Sequence, residues 1–369
     1  MAGRSRKIKV LHLISAERVF GAERVMLSLA KGLKDEFEIS IGVLAKSEVN
    51  NEVLREAKRL EIEAIWIPSC APLDVDTFRY IRRIFDRKKI DLVHSHNYKS
   101  NFYAFTCHGR RIWVSTAHCW GGTDWKAKGY DAIDKLLIRF ADKVIGVSLN
   151  LMEEFDQIKI PKQKQVYIPN GLDWDGLRER NLDDVFTVGF IGRFEREKNI
   201  SVLVDSVVRF LSKDTDPRVK VLLVGDGSLR GLAERKIKDN GLTDSVFFTG
   251  KVDSSKIEII YQKLDLLFLP SLKEGLPMVV LEALNWGVPI LGSYVALRDV
   301  GKGEFARLIS NPKDVNEMVL KLKEMKEIYF HQRERYLWMS QLARDKAREF
   351  SESKMVGSYR TLYNDLIDR

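Results

Sequence analysis

The 369-residue sequence predicts an α/β fold with two domains, each a parallel sheet with crossover helices. Three observations lead to this prediction. Apolar runs of strand length alternate with helical stretches through most of the chain, as in βαβ proteins. The chain is also too long for one ordinary hydrophobic core. Finally, the alternation is interrupted at Asn170-Gly171-Leu172-Asp173 and the polar stretch up to Asp184, after which a new strand begins.

The alternation predicts seven strands before the interruption and five after it. They lie near residues 9–14, 38–45, 63–68, 92–96, 113–118, 143–148 and 166–169, and then near 186–191, 220–224, 246–249, 266–270 and 288–292. The interruption separates two Rossmann-like domains, at residues 1–172 and 173–349, and we expect their sheets to face each other across a ligand cleft. Asn170 to Asp184 is the expected hinge.

The end of the chain is predicted to be helical. From Pro312 onward the sequence is highly charged and has no strand pattern. Residues 350–369 carry apolar side chains at helical spacing, from Met355 to Leu366. We therefore expect a C-terminal helix that packs back on the N-terminal domain.

The composition is typical of a globular protein of the cytoplasm. Hydrophobic residues make up 45% of the chain and charged residues 31%. No apolar run approaches the roughly 20 residues that span a bilayer. The basic start, Met1 to Lys9, precedes an apolar run only long enough for a strand, which is unlike a signal peptide. The three cysteines cannot form a full set of disulfides and lack metal-ligand spacing, so we expect a reducing compartment.

The net charge of +9 is concentrated in the first half, where residues 1–180 carry 31 Lys and Arg against 24 Asp and Glu. Nucleic acid, an anionic membrane surface or a phosphorylated substrate could each explain this excess, and so could a solvated basic face on several helices. No nucleic-acid-binding motif accompanies the charge, so we expect no nucleic acid partner. A lipid-linked or polyanionic partner at the inner face of the plasma membrane fits better.

Residues 272–288 contain the most informative pattern in the chain. An apolar strand ending at Pro270 leads into a loop that carries Glu274. Pro277 stands where a first helical residue is expected, and an apolar helix with a single carboxylate, Glu282, follows. A charge among apolar residues needs a partner or a cleft. Because each carboxylate can accept two hydroxyl hydrogen bonds at the ligand-binding edge of the sheet, this pattern predicts a sugar or ribose site.

A second pattern predicts a site for a diphosphate. The first strand of the second half ends at Gly192 and Arg193, and Lys198 follows just before a helix that starts near Asn199. Arginine can hold two phosphate oxygens, lysine adds a point charge, and the helix N-terminus adds backbone donors. The alternative is ordinary surface pairing among the charged residues of this loop, Arg193, Glu195, Arg196, Glu197 and Lys198.

Two glycine loops give weaker signals. Gly21 lies just before the first helix, where a missing Cβ would let a phosphate approach the backbone, although taken alone a routine strand–helix turn is the better interpretation. Gly225 and Gly227 follow a strand, as in a dinucleotide-binding fingerprint. The fingerprint requires a third glycine where Arg230 stands. We therefore predict a tight turn that lines the ligand cleft.

Three histidines lie at predicted strand ends. His94 and His96 share one face of their strand because side chains alternate. A metal site that combines them with His118 and Cys119 lacks an accompanying acidic cluster, and we expect no metal. His118 is better placed to hydrogen-bond a ligand in the cleft, whereas His94 fits a core position.

Together these residues resemble the retaining glycosyltransferases of family 4, which have the two-domain GT-B fold. The resemblance covers nearly the whole chain. It is carried by Gly21-Ala22-Glu23, Thr116-Ala117-His118, Asn170-Gly171-Leu172-Asp173, Gly192-Arg193 with Lys198, Gly225-Asp226-Gly227, and Pro270-Ser271 leading to Glu274-Gly275-Leu276-Pro277 and Glu282. The two glutamates with their Pro-Ser lead-in are the most specific of these motifs.

The resemblance implies a role for each site residue. Arg193 and Lys198 would hold the donor diphosphate, with Gly21, Gly192 and Gly225 close to the donor. Glu282 would bind the ribose hydroxyls and Glu274 the transferred sugar, which His118 would contact from the N-terminal domain. The backbone amides of Gly275 and Leu276, at the turn that includes Pro277, would add donors. The family's front-face reaction needs no protein nucleophile, and the two cations make a metal or cofactor unnecessary.

The sequence thus predicts transfer of a hexose or N-acetylhexosamine from a nucleoside-diphosphate sugar to a glycan or lipid-linked acceptor in envelope polysaccharide synthesis. UDP is the favoured nucleotide, although the residues do not distinguish uridine from guanosine. Three alternatives remain: a dinucleotide-dependent oxidoreductase, an epimerase or hydrolase acting on sugar nucleotides, and a non-catalytic glycan-binding protein.

Overall fold

The computed structural model describes residues 6–70, 74–120, 125–173, 182–212, 216–252 and 256–368. The chain forms two compact units. One consists of Met1–Asp173 together with Glu352–Arg369, and the other of Trp174–Ser351. Residues 174–181 of the expected hinge lie outside the described residues.

The first unit contains a seven-stranded, fully parallel sheet with strand order β3-β2-β1-β4-β5-β6-β7. The strands are β1 (Lys9–Ile14), β2 (Glu38–Ala45), β3 (Glu63–Pro68), β4 (Leu92–Ser95), β5 (Ile112–Ala117), β6 (Lys143–Gly146) and β7 (Gln165–Tyr167). The helices between them are α1 (Gly21–Leu33), α2 (Glu52–Arg59), α3 (Val75–Lys88), α4 (Tyr98–Cys107), α5 (Trp125–Leu137) and α6 (Leu149–Gln157). The central strands are buried because helices of a parallel sheet cover both faces.

The second unit repeats this architecture with six parallel strands in the order β10-β9-β8-β11-β12-β13. The strands are β8 (Phe186–Ile191), β9 (Val219–Val224), β10 (Val246–Gly250), β11 (Leu266–Leu269), β12 (Ile290–Ser293) and β13 (Ala306–Ile309). The helices are α7 (Ile200–Ser212), α8 (Arg230–Asp239), α9 (Ile257–Lys263), α10 (Met278–Asn285), α11 (Tyr294–Leu297), α12 (Val315–His331) and α13 (Arg333–Ala347). The predicted α/β fold with two parallel-sheet, Rossmann-like domains is confirmed.

The last helix, α14 (Glu352–Ile367), returns to the first unit. It approaches α1 closely at Gly32, where a Cβ would come within 2.6 Å of a methyl carbon of Val356. An ion pair at 2.6 Å between Arg360 and Glu36 lies beside this contact. Tyr363, fully buried on the same helix, packs edge-on against the ring of Phe37. A glycine on α1 and aromatic residues on α14 therefore join the end of the chain to its beginning.

The structure adds one strand that was not predicted and corrects the predicted start of two helices. The edge strand β13 was not predicted, because it is only four residues long and is only partly buried except at Ile309. Pro277 is not the first helical residue: its backbone is extended (φ −70°, ψ 124°), and α10 begins one residue later. Gly21 is the first residue of α1 and not the residue before the helix. Among the described residues no helix is both long and apolar enough to cross a membrane.

Candidate functional site

Two loops meet at the carboxyl edge of the second sheet. One connects β8 to α7 and the other connects β11 to α10, and these two strands are neighbours in the sheet. The loops are joined by a hydrogen bond from the Leu272 amide to the Glu197 carbonyl (2.8 Å). The Asn199 side-chain amide, at a left-handed residue (φ 60°), also donates to the Pro270 carbonyl (3.2 Å). Strand order therefore brings together two segments that are more than 70 positions apart in sequence.

The ion pair between Lys198 and Glu274 lies at this meeting point. The lysine Nζ is 2.5 Å from the glutamate Oε1, and the two side chains are only 15% and 8% exposed. Screening by water is weak in such an environment, so both charges act strongly on a nearby ligand. The structure thus unites two site residues that the sequence predicted from separate patterns. An ammonium beside a carboxylate can serve a ligand that carries both phosphate oxygens and hydroxyl groups.

Arg193, from the same loop as Lys198, is held by a different carboxylate. Its guanidinium is 2.6 Å from Glu197 Oε1, one helical turn along the chain, and its side chain is 58% exposed. The structure therefore contains the local pairing for this residue, and the role of Arg193 at a diphosphate stays a prediction. Glu195 does not join that pair, because it accepts hydrogen bonds from the amide and hydroxyl of Ser228 (2.9 and 2.6 Å). The Glu197 side chain is 15% exposed, whereas more than half of the Arg193 side chain is open to solvent, so the guanidinium remains accessible to a ligand.

Glu282 is buried in the body of α10, with 5% of its surface exposed. The hydroxyl of Tyr261, on α9, donates a hydrogen bond of 2.6 Å to its Oε2. This tyrosine is itself 1% exposed and was not singled out from the sequence. It stands in a short helix 21 positions earlier, and no local pattern connects the two residues. The turn between the two glutamates, Gly275 to Pro277, is also buried.

The glycines of the β9–α8 loop allow its backbone to pack closely against the backbone of the loop after β8. Gly225 has φ +128°, and a Cβ there would lie 1.9 Å from the Gly192 carbonyl oxygen. A Cβ on Gly227 would lie 2.7 Å from backbone atoms of Phe194. The Phe194 amide donates to the Asp226 carbonyl (2.9 Å), which completes the contact. The tight turn predicted here has a structural cause: it lets the β9–α8 loop support the loop that carries Arg193.

Gly21 and His118 lie in the first unit. Gly21 starts α1, where the Glu23 carboxylate accepts a hydrogen bond from the Phe20 amide (3.0 Å) and so caps the helix. His118 follows β5 and is partly buried. Burial lowers its pKa to about 4, so the imidazole is neutral at physiological pH. A neutral His118 can donate one hydrogen bond and accept another, but it cannot act as a cation.

His118 ends a buried chain of histidines in the first sheet. Its Nε2 is 3.4 Å from Nδ1 of His96, and Nε2 of His96 is 2.9 Å from Nδ1 of His12. His94, on β4, which ends one residue before His96, lies between the hydroxyls of Tyr363 (2.6 Å) and Thr116 (2.7 Å). His12 was missed in the sequence because a lone histidine in an apolar strand has no distinguishing signal.

The histidine nitrogens of His12, His94 and His96 lie within 4.8 Å of one another, which is close enough for a shared metal ion. However, both nitrogens of His94 are engaged by hydroxyl groups. The exposed Cys119 is not part of this group. The geometry favours a neutral, hydrogen-bonded network, and burial lowers the pKa of all three histidines.

We expect this network to make the first unit sensitive to acid. The folded state keeps His12 and His118 neutral down to about pH 3 and pH 4, whereas an unfolded histidine takes up a proton near pH 6.5. The free energy of unfolding should therefore fall as the pH falls below 6.5, by about 1.4 kcal/mol per pH unit for each histidine. Replacing His12 by leucine should reduce this slope between pH 6 and pH 5 by about one histidine's share.

Urea unfolding at a series of pH values measures the slope. His108→Gln, in the same unit but outside the network, serves as the comparison variant. An identical slope in wild type and His12→Leu would show that His12 is not held neutral in the folded protein.

Comparisons with known proteins identify the family of this chain. Residues 19–175 match the family description "Glycosyltransferase Family 4", and residues 185–327 match "Glycosyl transferases group 1". The chain is 25% identical over 391 aligned residues to the Escherichia coli UDP-Gal:alpha-D-GlcNAc-diphosphoundecaprenol alpha-1,3-galactosyltransferase. This alignment covers 98% of each of the two chains. The chain is 26% identical over 330 residues (86% of this chain, 88% of the other) to a Campylobacter jejuni alpha-1,4-N-acetyl-D-galactosaminyltransferase whose acceptor is a diphosphoundecaprenol-linked glycan.

The fold is shared with solved glycosyltransferase structures. The crystal structure of Anabaena HepE in complex with UDP and glucose superposes with a TM-score of 0.82 at 18% identity, over 97% of this chain and 99% of that one. The expected GT-B fold is therefore confirmed. Two family descriptions together cover most of the sequence, and the chain belongs to the glycosyltransferases of the family-4 type.

Proposed function

We propose that this glycosyltransferase moves a hexose or N-acetylhexosamine from a UDP-sugar to a hydroxyl group of a glycan or lipid-linked acceptor, with retention at the anomeric carbon. The observation that carries the proposal is the weakly exposed Lys198–Glu274 pair at the carboxyl edge of the second sheet. Open α/β sheets bind ligands at that edge. A cation and a carboxylate in contact match a ligand in which a phosphate is joined to a sugar.

The proposed roles follow from the chemistry of each group. The bond between the anomeric carbon and the phosphate oxygen breaks, and negative charge develops on the diphosphate that leaves. Lys198 and Arg193 are proposed to stabilise that charge, which is larger in the transition state than in the bound donor. Glu274 accepts hydrogen bonds from the transferred sugar, and Glu282 accepts them from the ribose. The amides of Gly275 and Leu276 supply further donors.

The proton of the acceptor hydroxyl is proposed to pass to a phosphate oxygen of the departing diphosphate on the same face of the sugar. The acceptor oxygen then bonds to the anomeric carbon, and atoms and charge balance without a protein nucleophile. Two side-chain cations beside the diphosphate also allow the reaction to proceed without a metal or cofactor. This proposal keeps His118 as a neutral hydrogen-bonding group, consistent with the lowering of its pKa by burial.

UDP is favoured because one similar protein is named as using a UDP-sugar and the structure of another contains UDP. The E. coli relative is named as a transferase that uses UDP-Gal, and the structure of HepE contains UDP and glucose. The acceptor of the E. coli relative is named as a diphosphoundecaprenol-linked sugar. Together with the positive charge of the first half, this supports an acceptor at the cytoplasmic face of the plasma membrane.

A thermal-shift screen of the full-length protein tests the proposal. The ligands are UDP, GDP, ADP and their common sugar conjugates, with NAD as the control. A ligand at a hundredfold excess over its dissociation constant should add about 2.7 kcal/mol of stability. We expect UDP to raise the melting temperature and one UDP-sugar to raise it further. A response to NAD alone, or to none of these ligands, would contradict the proposed donor site.

A further inference from the structure

A chain of three histidines runs from the core of the first unit to a partly exposed end. It begins at His12, passes through His96 and ends at His118. His12 is fully buried and His96 is 3% exposed, whereas His118 is only partly buried. The proposed reaction gives His118 a hydrogen bond and gives the other two no role. Because histidine has two ring nitrogens, a neighbouring group can decide which of them carries the proton.

The three rings meet end-on, as hydrogen-bonded imidazoles do. Nδ1 of His12 is 2.9 Å from Nε2 of His96, and Nδ1 of His96 is 3.4 Å from Nε2 of His118, which is the longer and weaker contact. The corresponding ring centroids are 5.2 and 5.7 Å apart. In both pairs this exceeds the nitrogen–nitrogen distance by one centre-to-nitrogen length for each ring. Each contact therefore lies in the plane of both rings, where N–H bonds and lone pairs point.

Each ring of the chain carries a single proton at physiological pH. Burial lowers the pKa of His96, and it lowers the pKa of His12 to about 3 and that of His118 to about 4. A neutral imidazole has one donor nitrogen and one acceptor nitrogen. The protons must therefore all point the same way along the chain, either outward to His118 or inward to His12.

The inner end of the chain decides between these two directions. Nε2 of His12 is buried and has no hydrogen-bond partner among the described residues. With inward-pointing protons this nitrogen would carry an N–H group without an acceptor, and such groups are rare in protein interiors. With outward-pointing protons it carries only a lone pair. The outward direction is therefore favoured, and it places the proton of all three rings on Nδ1.

The loop that carries His118 is also held by buried hydrogen bonds. The indole of Trp120, two residues further along, donates to one carboxylate oxygen of Asp134 (2.7 Å). The side-chain amide of Asn101 donates to the other oxygen (2.7 Å). Trp120 and Asp134 are only 7% and 4% exposed. The His118 ring is thus held by His96, and its backbone is held by a separate buried network.

We propose that His96 is a positioning residue that makes His118 donate a hydrogen bond from Nδ1 to the transferred sugar. The identity of this ligand rests on the proposed function. Because His96 donates to Nε2 of His118, the proton of His118 stays on Nδ1, which has no partner among the described residues. His118 therefore contacts an oxygen of the sugar, in a hydroxyl group or an N-acetyl carbonyl, as a donor.

Nuclear magnetic resonance of the full-length protein tests the proton positions without any ligand. The chain has six histidines, and long-range proton–nitrogen spectra of labelled rings show which nitrogen is protonated in each. His108 is an internal reference for the Nδ1–H form, because its Nδ1 is 2.9 Å from the Ala104 carbonyl, which can only accept. We expect His12, His96 and His118 to show this form at pH 7. A proton on Nε2 of His118, or a cationic His118, would overturn the proposal.

Replacing His96 by leucine removes the donor to His118. We expect the proton of His118 to shift toward Nε2, the form that histidine prefers in water. Binding is measured by calorimetry with UDP and with the UDP-sugar that the thermal-shift screen selects. Affinity for the UDP-sugar should fall about fivefold, the effect of one neutral hydrogen bond, while affinity for UDP stays unchanged. His96→Asn keeps an N–H donor at the position of Nδ1 and should restore most of the affinity.

Tyr363→Phe is the matched control within the same buried cluster. It removes a hydroxyl that lies 2.6 Å from Nδ1 of His94, outside the chain, and should change neither the His118 proton nor UDP-sugar binding. If His96→Leu kept the Nδ1–H form of His118, or weakened UDP and the UDP-sugar equally, His96 would have only a structural role. Failure of wild type to bind UDP would refute the proposed function, whereas the ligand-free spectra judge the proton positions separately.

Discussion

Replacing Lys198 by alanine is expected to lower kcat for sugar transfer by about two to three orders of magnitude. In the proposed mechanism the lysine ammonium stabilises the charge that develops on the leaving diphosphate, and the side chain is only 15% exposed, so water replaces it poorly. Arg196→Ala is the matched control, since Arg196 lies two positions away and is exposed. We expect that variant to transfer sugar within a few-fold of the wild-type rate.

The same substitution also affects stability, and this effect must be separated from catalysis. Removing one partner of a buried ion pair leaves the other charge without compensation, at a cost of about 3 kcal/mol. The double variant Lys198→Met/Glu274→Leu should recover most of the lost free energy of unfolding, because both charges are removed and the volume is kept. Its transferase activity should remain as low as that of Lys198→Ala.

Urea unfolding measures the change in stability of each variant, and initial rates with a UDP-sugar measure the change in catalysis. If a folded Lys198→Ala variant retained kcat within tenfold of wild type, Lys198 would have no role at the diphosphate. If the double variant recovered activity together with stability, the ion pair would be structural.

Replacing Glu282 by glutamine is expected to raise the dissociation constant for UDP by about 10- to 100-fold, the range for a hydrogen bond to a charged group. A carboxylate can accept from two ribose hydroxyls, whereas the amide of glutamine keeps one acceptor oxygen and introduces donors. Comparison with 2′-deoxy-UDP and 3′-deoxy-UDP makes the test specific. Wild type should bind the deoxy ligands more weakly than UDP, and Glu282→Gln should bind them about equally.

Tyr261→Phe provides the control for the Glu282 experiment. It removes the 2.6 Å hydrogen bond to the carboxylate but leaves the charge in place. We expect it to lower the free energy of unfolding by about 1 kcal/mol and to change the affinity for UDP only slightly. If wild type and Glu282→Gln lost the same affinity on removal of a ribose hydroxyl, Glu282 would not contact the ribose.

Much of the fold could be read from local patterns. Of the thirteen strands in the described part of the chain, twelve are predicted by apolar runs bounded by polar segments. The reason is that a strand buried on both faces needs continuous apolar side chains. The exception, β13, lies at the edge of its sheet, where burial is incomplete and Arg307 is tolerated. The unusual charge of Glu282 within an apolar helix also marked a special position, because such a charge is expensive to bury.

The sequence by itself determined the class of the protein, the two parallel-sheet domains and the identities of Lys198, Glu274 and Glu282 as candidate site residues. Only the tertiary structure decided their partners. Lys198 meets Glu274 because β8 and β11 are neighbours in the sheet, and the fold brings the hydroxyl of Tyr261, on α9, to 2.6 Å from Glu282, on α10. Local sequence encodes burial and propensity, whereas strand order and helix packing set which distant side chains meet.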